Sequence, residues 1–375
     1  MKPLPKRRRL AGIVAAAAMA AASAASCQPS SPAPGGLTCT TVPTASASAA
    51  GTGQHSGWDM PPVAGSWGGI AARSSSSAVA VGWTGNASTG RALVALWSGT
   101  AWRTLSSRAL PRVSFLFAVA LFPGGAWAVG SKGNGENGGD ILPLIVRVTG
   151  TTVRQAPVPR TGGELTDVAA TSATDAWAVG GGALVAPLIW HWNGTAWTRA
   201  QLPAADAGAV DGVALAASSR TNAWAVIDPQ SGSLPKIAHW NGSRWADVAA
   251  PVIGMRYRLG GVAATSARNV WAVGFTRSSA VILHWNGRRW TCALSPNNGL
   301  NAVSTSSADS AWAVGGAATL NWNGRSWTQV PTPQPSYLYY LRGVAIIPHS
   351  AGAWAVGSMG NLRTLMLHWN GTAWQ

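Results

Sequence analysis

The chain has 375 residues, of which only 10% are charged, and it carries 27 Lys+Arg against 11 Asp+Glu for a net charge of +16. With 47% hydrophobic residues most of it can build a core, three Cys are too few for a disulfide scaffold, and past the N-terminus no long apolar run lacks Gly, Pro or polar breaks. Glu136 and Glu164 are its only glutamates, which argues against a carboxylate-driven enzyme.

Residues 1–9 carry Lys2, Lys6, Arg7, Arg8 and Arg9 and no acid, and residues 10–22 are almost purely apolar. A basic segment, a short apolar run and then small residues predict a signal peptide over residues 1–26. A transmembrane anchor fits less well, because the run is Ala-rich and short. Ala24-Ala25-Ser26-Cys27 resembles a bacterial lipobox, with Ala24 where Leu is usual, so Cys27 is the expected lipidation site. Ordinary cleavage nearby, leaving Cys27 free, is the alternative. The expected address is the outer face of a cell membrane, or secretion if no lipid is added.

Residues 27–56 are rich in Ser, Thr, Ala, Pro and Gly and predict a flexible tether. Cys39 lies in it. In an oxidising compartment Cys39 and Cys292 could pair and pin the tether to the body, or both could remain thiols. The basic charge is mostly Arg, scattered along the chain, so no nucleic-acid partner is expected.

Residues 57–375 repeat. One copy reads Ala176-Trp177-Ala178-Val179-Gly180, then Trp190-His191-Trp192-Asn193-Gly194, then Trp197. The Ala-Trp-Ala-Val run or a near variant recurs around Trp127, Trp224, Trp271, Trp312 and Trp354, with Val79 in the Trp place of the earliest copy. Each copy predicts four short strands, the third ending at Asn-Gly, read as a type I′ hairpin into the fourth. Strand two is apolar on both faces, Trp177 and Val179 on one, Ala176 and Ala178 on the other. Such strands need cover on both sides, as when sheets stack around a ring with a large face against the next small one. Seven four-stranded units of about 40–50 residues predict an all-β chain, a seven-bladed β-propeller of antiparallel blades. Gly57-Trp58-Asp59-Met60-Pro61-Pro62 looks like a strand four with no strands before it. It is expected to clasp the last blade, in competition with Trp374 for one position.

These motifs resemble those of exported bacterial β-propellers with Trp-Ala-Val-Gly and His-Trp-Asn-Gly repeats, loosely similar to BNR-type and tectonin-like propellers, the latter being lectins. The resemblance implies the fold over residues 57–375. It does not extend to the BNR Asp-box, which Asn193-Gly194-Thr195-Ala196-Trp197 does not reproduce.

His191, His239, His284 and His368 share one repeat position, with Asn321 and Arg147 replacing them in other copies. A ring spreads equivalent positions apart, so they are expected to pack blades and not to hold a metal. Asp175, Asn222 and Asn269 precede strand two and are read as turn formers. Neither cofactor nor metal is expected, and the chain is expected to be a monomer.

The strand one–two and three–four turns read as tight, whereas the two–three and four–one connections vary and would emerge at one end of the ring. All four Tyr fall there, beside Arg: Arg256, Tyr257 and Arg258, then Tyr337, Tyr339, Tyr340 and Arg342. Aromatic-plus-Arg loops suit protein or cell-wall glycopolymer partners, so these seven residues are the candidate ligand site. The alternative is that the Tyr plug the mouth of the ring. A non-catalytic binding or assembly module is the expected function. A glycan-active enzyme, hydrolase or lyase, would need a Tyr/Arg/carboxylate site, with Glu164 as the acid.

Overall fold

The computed structural model describes residues 36–43, 63–86, 88–133, 141–159, 161–182, 185–203, 208–296, 299–316, 318–333, 339–360 and 363–375. The expected signal segment, Cys27 and Tyr337 lie outside them, as do residues 57–62, the expected clasp of the last blade. The chain forms seven antiparallel blades in a ring. Their innermost strands are Gly65–Ser74, Ser114–Phe122, Glu164–Ser172, Val210–Ser219, Arg258–Ser266, Leu300–Ser307 and Tyr339–Ile346, each touching the next and the last touching the first.

The ring holds because strand two of each blade is large on one face and small on the other. Trp177 and Val179 of blade three pack on Ala223, Ala225 and Trp245 of blade four. Trp127 and Val129 of blade two meet Ala176, Ala178 and Trp197 of blade three in the same way. In six seams the strand-two Trp lies against two Trp of the following blade, as Trp271 does on Trp322 and Trp327 at 5.2 and 5.1 Å. The seam between blades one and two substitutes all three at once, with Val79 against Val148 and Val153. The replacement preserves complementarity because volume is exchanged on both sides.

Every inner strand carries a bulge near the end where the variable loops emerge. In blade three it falls at Thr166, between Leu165 and Asp167. A Cβ on Gly180, across the strand pair, would lie 2.0 Å from the Glu164 carbonyl oxygen, so this bulge demands glycine opposite. Blade four has Ile227 where the others have Gly, and its bulge moves along the strand to Asp211.

The Asn-Gly loops are not type I′ turns. They are four-residue loops between paired Trp, such as Trp192 and Trp197, in which only the Gly takes a positive φ, 99° at Gly194. Asn193 Oδ1 instead accepts the backbone N–H groups of Thr195 and Ala196, both at 3.0 Å, so the side chain caps the loop. The expectation of tight strand one–two turns also fails in blade seven, where residues 347–352 form a longer loop. His349 in that loop has φ 59°, the sole non-Gly residue with positive φ among the described residues.

The C-terminus closes blade seven. Trp374 bridges Trp369 and is buried against Trp312 at 4.9 Å, and Gln375 and His368 exchange two backbone hydrogen bonds at 2.9 and 3.0 Å. Val63 and Ala64 pair farther along the same edge, where Thr364 N–H donates to the Val63 carbonyl at 3.0 Å. The two termini therefore share the edge of Arg363–Trp369 end to end, and Trp374 holds the position for which Trp58 was expected to compete.

Part of the expected tether is joined to the body. Thr40–Thr41 runs parallel to the outer strand Trp290–Ser295 of blade five, and Cys39 is disulfide-bonded to Cys292. Val42 is buried in the seam between blades five and six, and Leu37 packs on the core between blades four and five. This excludes the alternative of two thiols, and around Cys39 it replaces the expected flexible tether with a segment packed on the body.

Candidate functional site

The four repeated His belong to the seams. His191, His239, His284 and His368 stack on Trp177, Trp224, Trp271 and Trp354 at 4.0 to 4.4 Å. Their Nε2 atoms reach Asp175 at 2.8 Å, Asn222 at 2.7 Å and Asn269 at 2.8 Å in the first three cases. These Asp and Asn are buried partners of the imidazoles, which corrects their reading as simple turn formers. Burial would raise the Asp175 carboxyl, but hydrogen bonds from His191 and Thr171 and the charge of Arg220 hold it below the ordinary carboxylate value. Burial pushes His239, His284 and His368 down, toward the neutral form. Among the described residues no group of three or more His, Cys, Asp or Glu could hold a metal ion.

Of the seven candidate ligand residues, the structure splits two groups. Tyr257 is buried in the core, its hydroxyl donating to the Pro251 carbonyl at 2.8 Å, and burial pushes its pKa up. Arg258 spans the seam to blade four, pairing with Asp211 and, through Nε at 2.7 Å, with Asp228. Burial pushes the Asp228 carboxyl up to about 7. Arg256 is exposed beside the turn at Gly232. Tyr257 and Arg258 therefore join blade four to blade five, and Tyr257 sits in that seam and not across the mouth of the ring.

The second group makes a surface. Tyr340 is exposed, and its hydroxyl donates to Asn301 Oδ1 at 2.9 Å, while Asn301 Nδ2 donates to the Leu341 carbonyl at 2.7 Å. The Arg342 guanidinium carbon lies 5.0 Å from the Tyr340 ring and 5.7 Å from Trp83 of blade one. Trp83 is held in turn by the edges of Phe115 and Phe117 of blade two, at 5.9 and 5.7 Å. Arg342 Nε is buried without a hydrogen-bond partner, and no carboxylate pairs with this guanidinium among the described residues. Burial lowers its pKa, and Tyr340 works the other way. Tyr339 is half-buried, its hydroxyl bonded to Thr332, and burial pushes it up.

Sequence reasoning missed Trp83, Phe117 and Asn301. Asn301, Phe117 and Arg342 occupy the same bulge position in blades six, two and seven. The signal was present as a fixed offset before the small residues of strand one, but it needed the pairing register to become visible. Glu164 opens the inner strand of blade three at the same end of the ring, and burial raises its pKa. At the other end a cavity of about 980 Å³ lies between blades six, seven and one, lined by Ser304, Thr305, Ser310 and His349.

No family model matches the chain, and no curated protein matches it. Solved structures do. "YCF48 bound to D1 peptide" is similar at 15% identity with a TM-score of 0.57, over 87% of this chain and 97% of that one. YCF48 from Cyanidioschyzon merolae gives the same identity and TM-score over 83% and 97%. The β-propeller domain of the Trilobed protease from Pyrococcus furiosus gives 8% identity and a TM-score of 0.52 over 82% and 96%. At these identities the likeness is one of fold, and in fold this chain is a seven-bladed β-propeller.

Proposed function

We propose that this propeller is a non-catalytic binding or assembly module, exported and lipid-anchored through Cys27 at the outer face of the cell envelope. It recognises a protein or a cell-wall glycopolymer through the variable-loop end of the ring. The observation that carries this reading is Arg342, a guanidinium set between Tyr340 and Trp83 with no carboxylate partner among the described residues. A cation backed by aromatic faces and lacking an internal counter-charge suits a partner that brings an anionic or hydrogen-bonding group. That a propeller of similar fold is described as bound to a peptide is consistent with such use. The enzyme alternative wants an acid in reach of a tyrosine hydroxyl, but Tyr257 and Tyr340 engage Pro251 and Asn301.

The test measures binding of purified cell-wall polymer and of solubilised envelope proteins to the wild type and to Tyr340→Ala and Arg342→Ala. Loss of binding in both variants, with melting preserved, is expected. Unchanged binding in both would refute the site. Turnover of a glycan by the wild type, absent in Glu164→Gln, would replace this reading with the enzymatic one. For the anchor, Cys27→Ala is expected to move the protein from membranes to the medium.

A further inference from the structure

On the outer rim, away from the channel mouth, blade two differs from every other blade. Its strand-three residue Arg147 pairs directly across the sheet with Arg154 of strand four. The same cross-strand pair is Leu96 and Arg103, His191 and Thr198, His239 and Ala246, His284 and Thr291, or Asn321 and Thr328 in blades one and three to six. Like charges directly opposite on a strand pair repel. Among the described residues neither Arg makes an ion pair.

Both Arg line a groove of about 410 Å³ at the seam with blade three. It is lined by Trp127, Trp192 and Trp197 and by Pro157, Val158 and Pro159, and of the three indoles Trp192 is the one left partly exposed. Arg147 lies over the Phe122 and Trp127 rings, 5.4 Å from each centroid, which fixes the direction of its guanidinium. Gln155 and Thr195 add neutral hydrogen-bonding groups at the edge. Two cations beside an aromatic and proline lining, with amide and hydroxyl groups near them, match a ring-shaped ligand bearing an anionic oxygen group.

We propose that this rim groove is a second binding site, and that it takes an acidic saccharide whose oxyanion is held between Arg147 and Arg154. The site is separate from the mouth around Arg342 and does not rest on it. The volume admits a short stretch of sugar, and the aromatic and proline lining favours a pyranose ring over an extended acidic peptide. A sugar carboxylate and a sugar phosphate present the same chemistry to the two guanidiniums.

The test titrates the full chain with galacturonate oligomers, as the carboxylate source, and with dextran phosphate, as the phosphate source, with neutral dextran as control. At least one anionic probe is expected to bind, and Arg147→Gln and Arg154→Gln are each expected to weaken it about tenfold. Both arginines are exposed, so melting should be unchanged in these variants. The exposed control Arg288→Gln is expected to leave affinity unchanged. The proposal is overturned if neither anionic probe binds, if neutral dextran binds as well, or if Arg288→Gln weakens binding equally, which would mean diffuse charge. A polyglutamate peptide binding more tightly than either saccharide would also overturn it, in favour of an acidic peptide.

Discussion

Trp354 of the last blade meets Trp102 of the first in a T-shaped contact, ring centroids 5.3 Å apart and planes at 81°. Trp97 completes this seam at 5.3 Å from the same ring. The contact that closes the ring is thus the same device that joins consecutive blades, with Trp177 and Trp245 at 5.2 Å and 87° as a second instance. Closure is built from the repeat and needs no special lock. Trp354→Ala is expected to cost about 3–5 kcal/mol, the range for emptying a buried aromatic site. Chemical denaturation checks this. A midpoint shift no larger than that of an exposed-site control would mean that the closing seam contributes little.

The strap at Thr40–Thr41 leads to a redox prediction. The Cys39–Cys292 bridge ties an N-terminal segment to the outer edge of blade five, and Val42 fills the neighbouring seam. Cys39→Ser is expected to lower stability by about 2–4 kcal/mol. A chain beginning at Gly57 should melt lower than one beginning at Gly36, and only the longer chain should respond to a reductant. Identical melting curves would show the strap to be dispensable.

Asp167 is tied to blade four: its Oδ2 accepts the Leu215 N–H and its Oδ1 the Val168 N–H, both at 2.8 Å. Burial pushes its pKa up from 3.8 to about 7, against the two backbone hydrogen bonds. The folded protein therefore holds this proton between about pH 4 and 7 while the unfolded chain has released it. Its contribution to stability is greatest below the unfolded value, declines as pH rises through that window, and is flat above the folded value. Asp167→Asn is expected to remove this slope, so the variant gains on the wild type from pH 4 to pH 8. Parallel pH–stability curves for the two proteins would contradict it.

The edge of Arg363–Trp369 tests how the termini divide their work. Trp374 and Gln375 cover one end and Val63 and Ala64 the other. Cutting the chain after Asn370 bares the strand and opens the Trp312 seam, so it is expected to lower melting and promote aggregation. Starting the chain at Gly65 in an otherwise strap-free protein should cost much less. Equal losses from the two truncations, measured by calorimetry and light scattering, would mean that the N-terminal residues carry closure as much as Trp374 does.

Gly180→Ala probes the bulge. The Cβ would fall 2.0 Å from the Glu164 carbonyl oxygen, and backbone must move to admit it. The expected cost exceeds about 1–3 kcal/mol, the range for ordinary overpacking. A cost within that of a surface Gly→Ala change would show that the bulge slips freely, as it has in blade four.

The number of blades, their four strands and the facing of large against small residues were legible because they are local and periodic. Trp177 and Ala178 alternate, and alternation dictates which face each covers wherever the sheet sits. The stacking role of the repeated His was also open to reading, since equivalent positions in a ring cannot converge. The site was legible only as residue types at one end. Tyr257 and Tyr340 have similar Arg neighbours in the sequence, yet one is core and the other surface. What divides them is the seam each meets: Tyr257 fits beneath the loop at Pro251, whereas Tyr340 stands over Asn301 of the preceding blade and Arg342 crosses to Trp83 of the first. The two cysteines left the Cys39–Cys292 bridge as one of two readings, and only the fold decided it, while the burial of Val42 joins distant segments whose local composition carries no mark of the contact. Local pattern determined the blades; only the closed ring, by setting which blade follows which, decided who meets whom at the seams, the mouth and the rim.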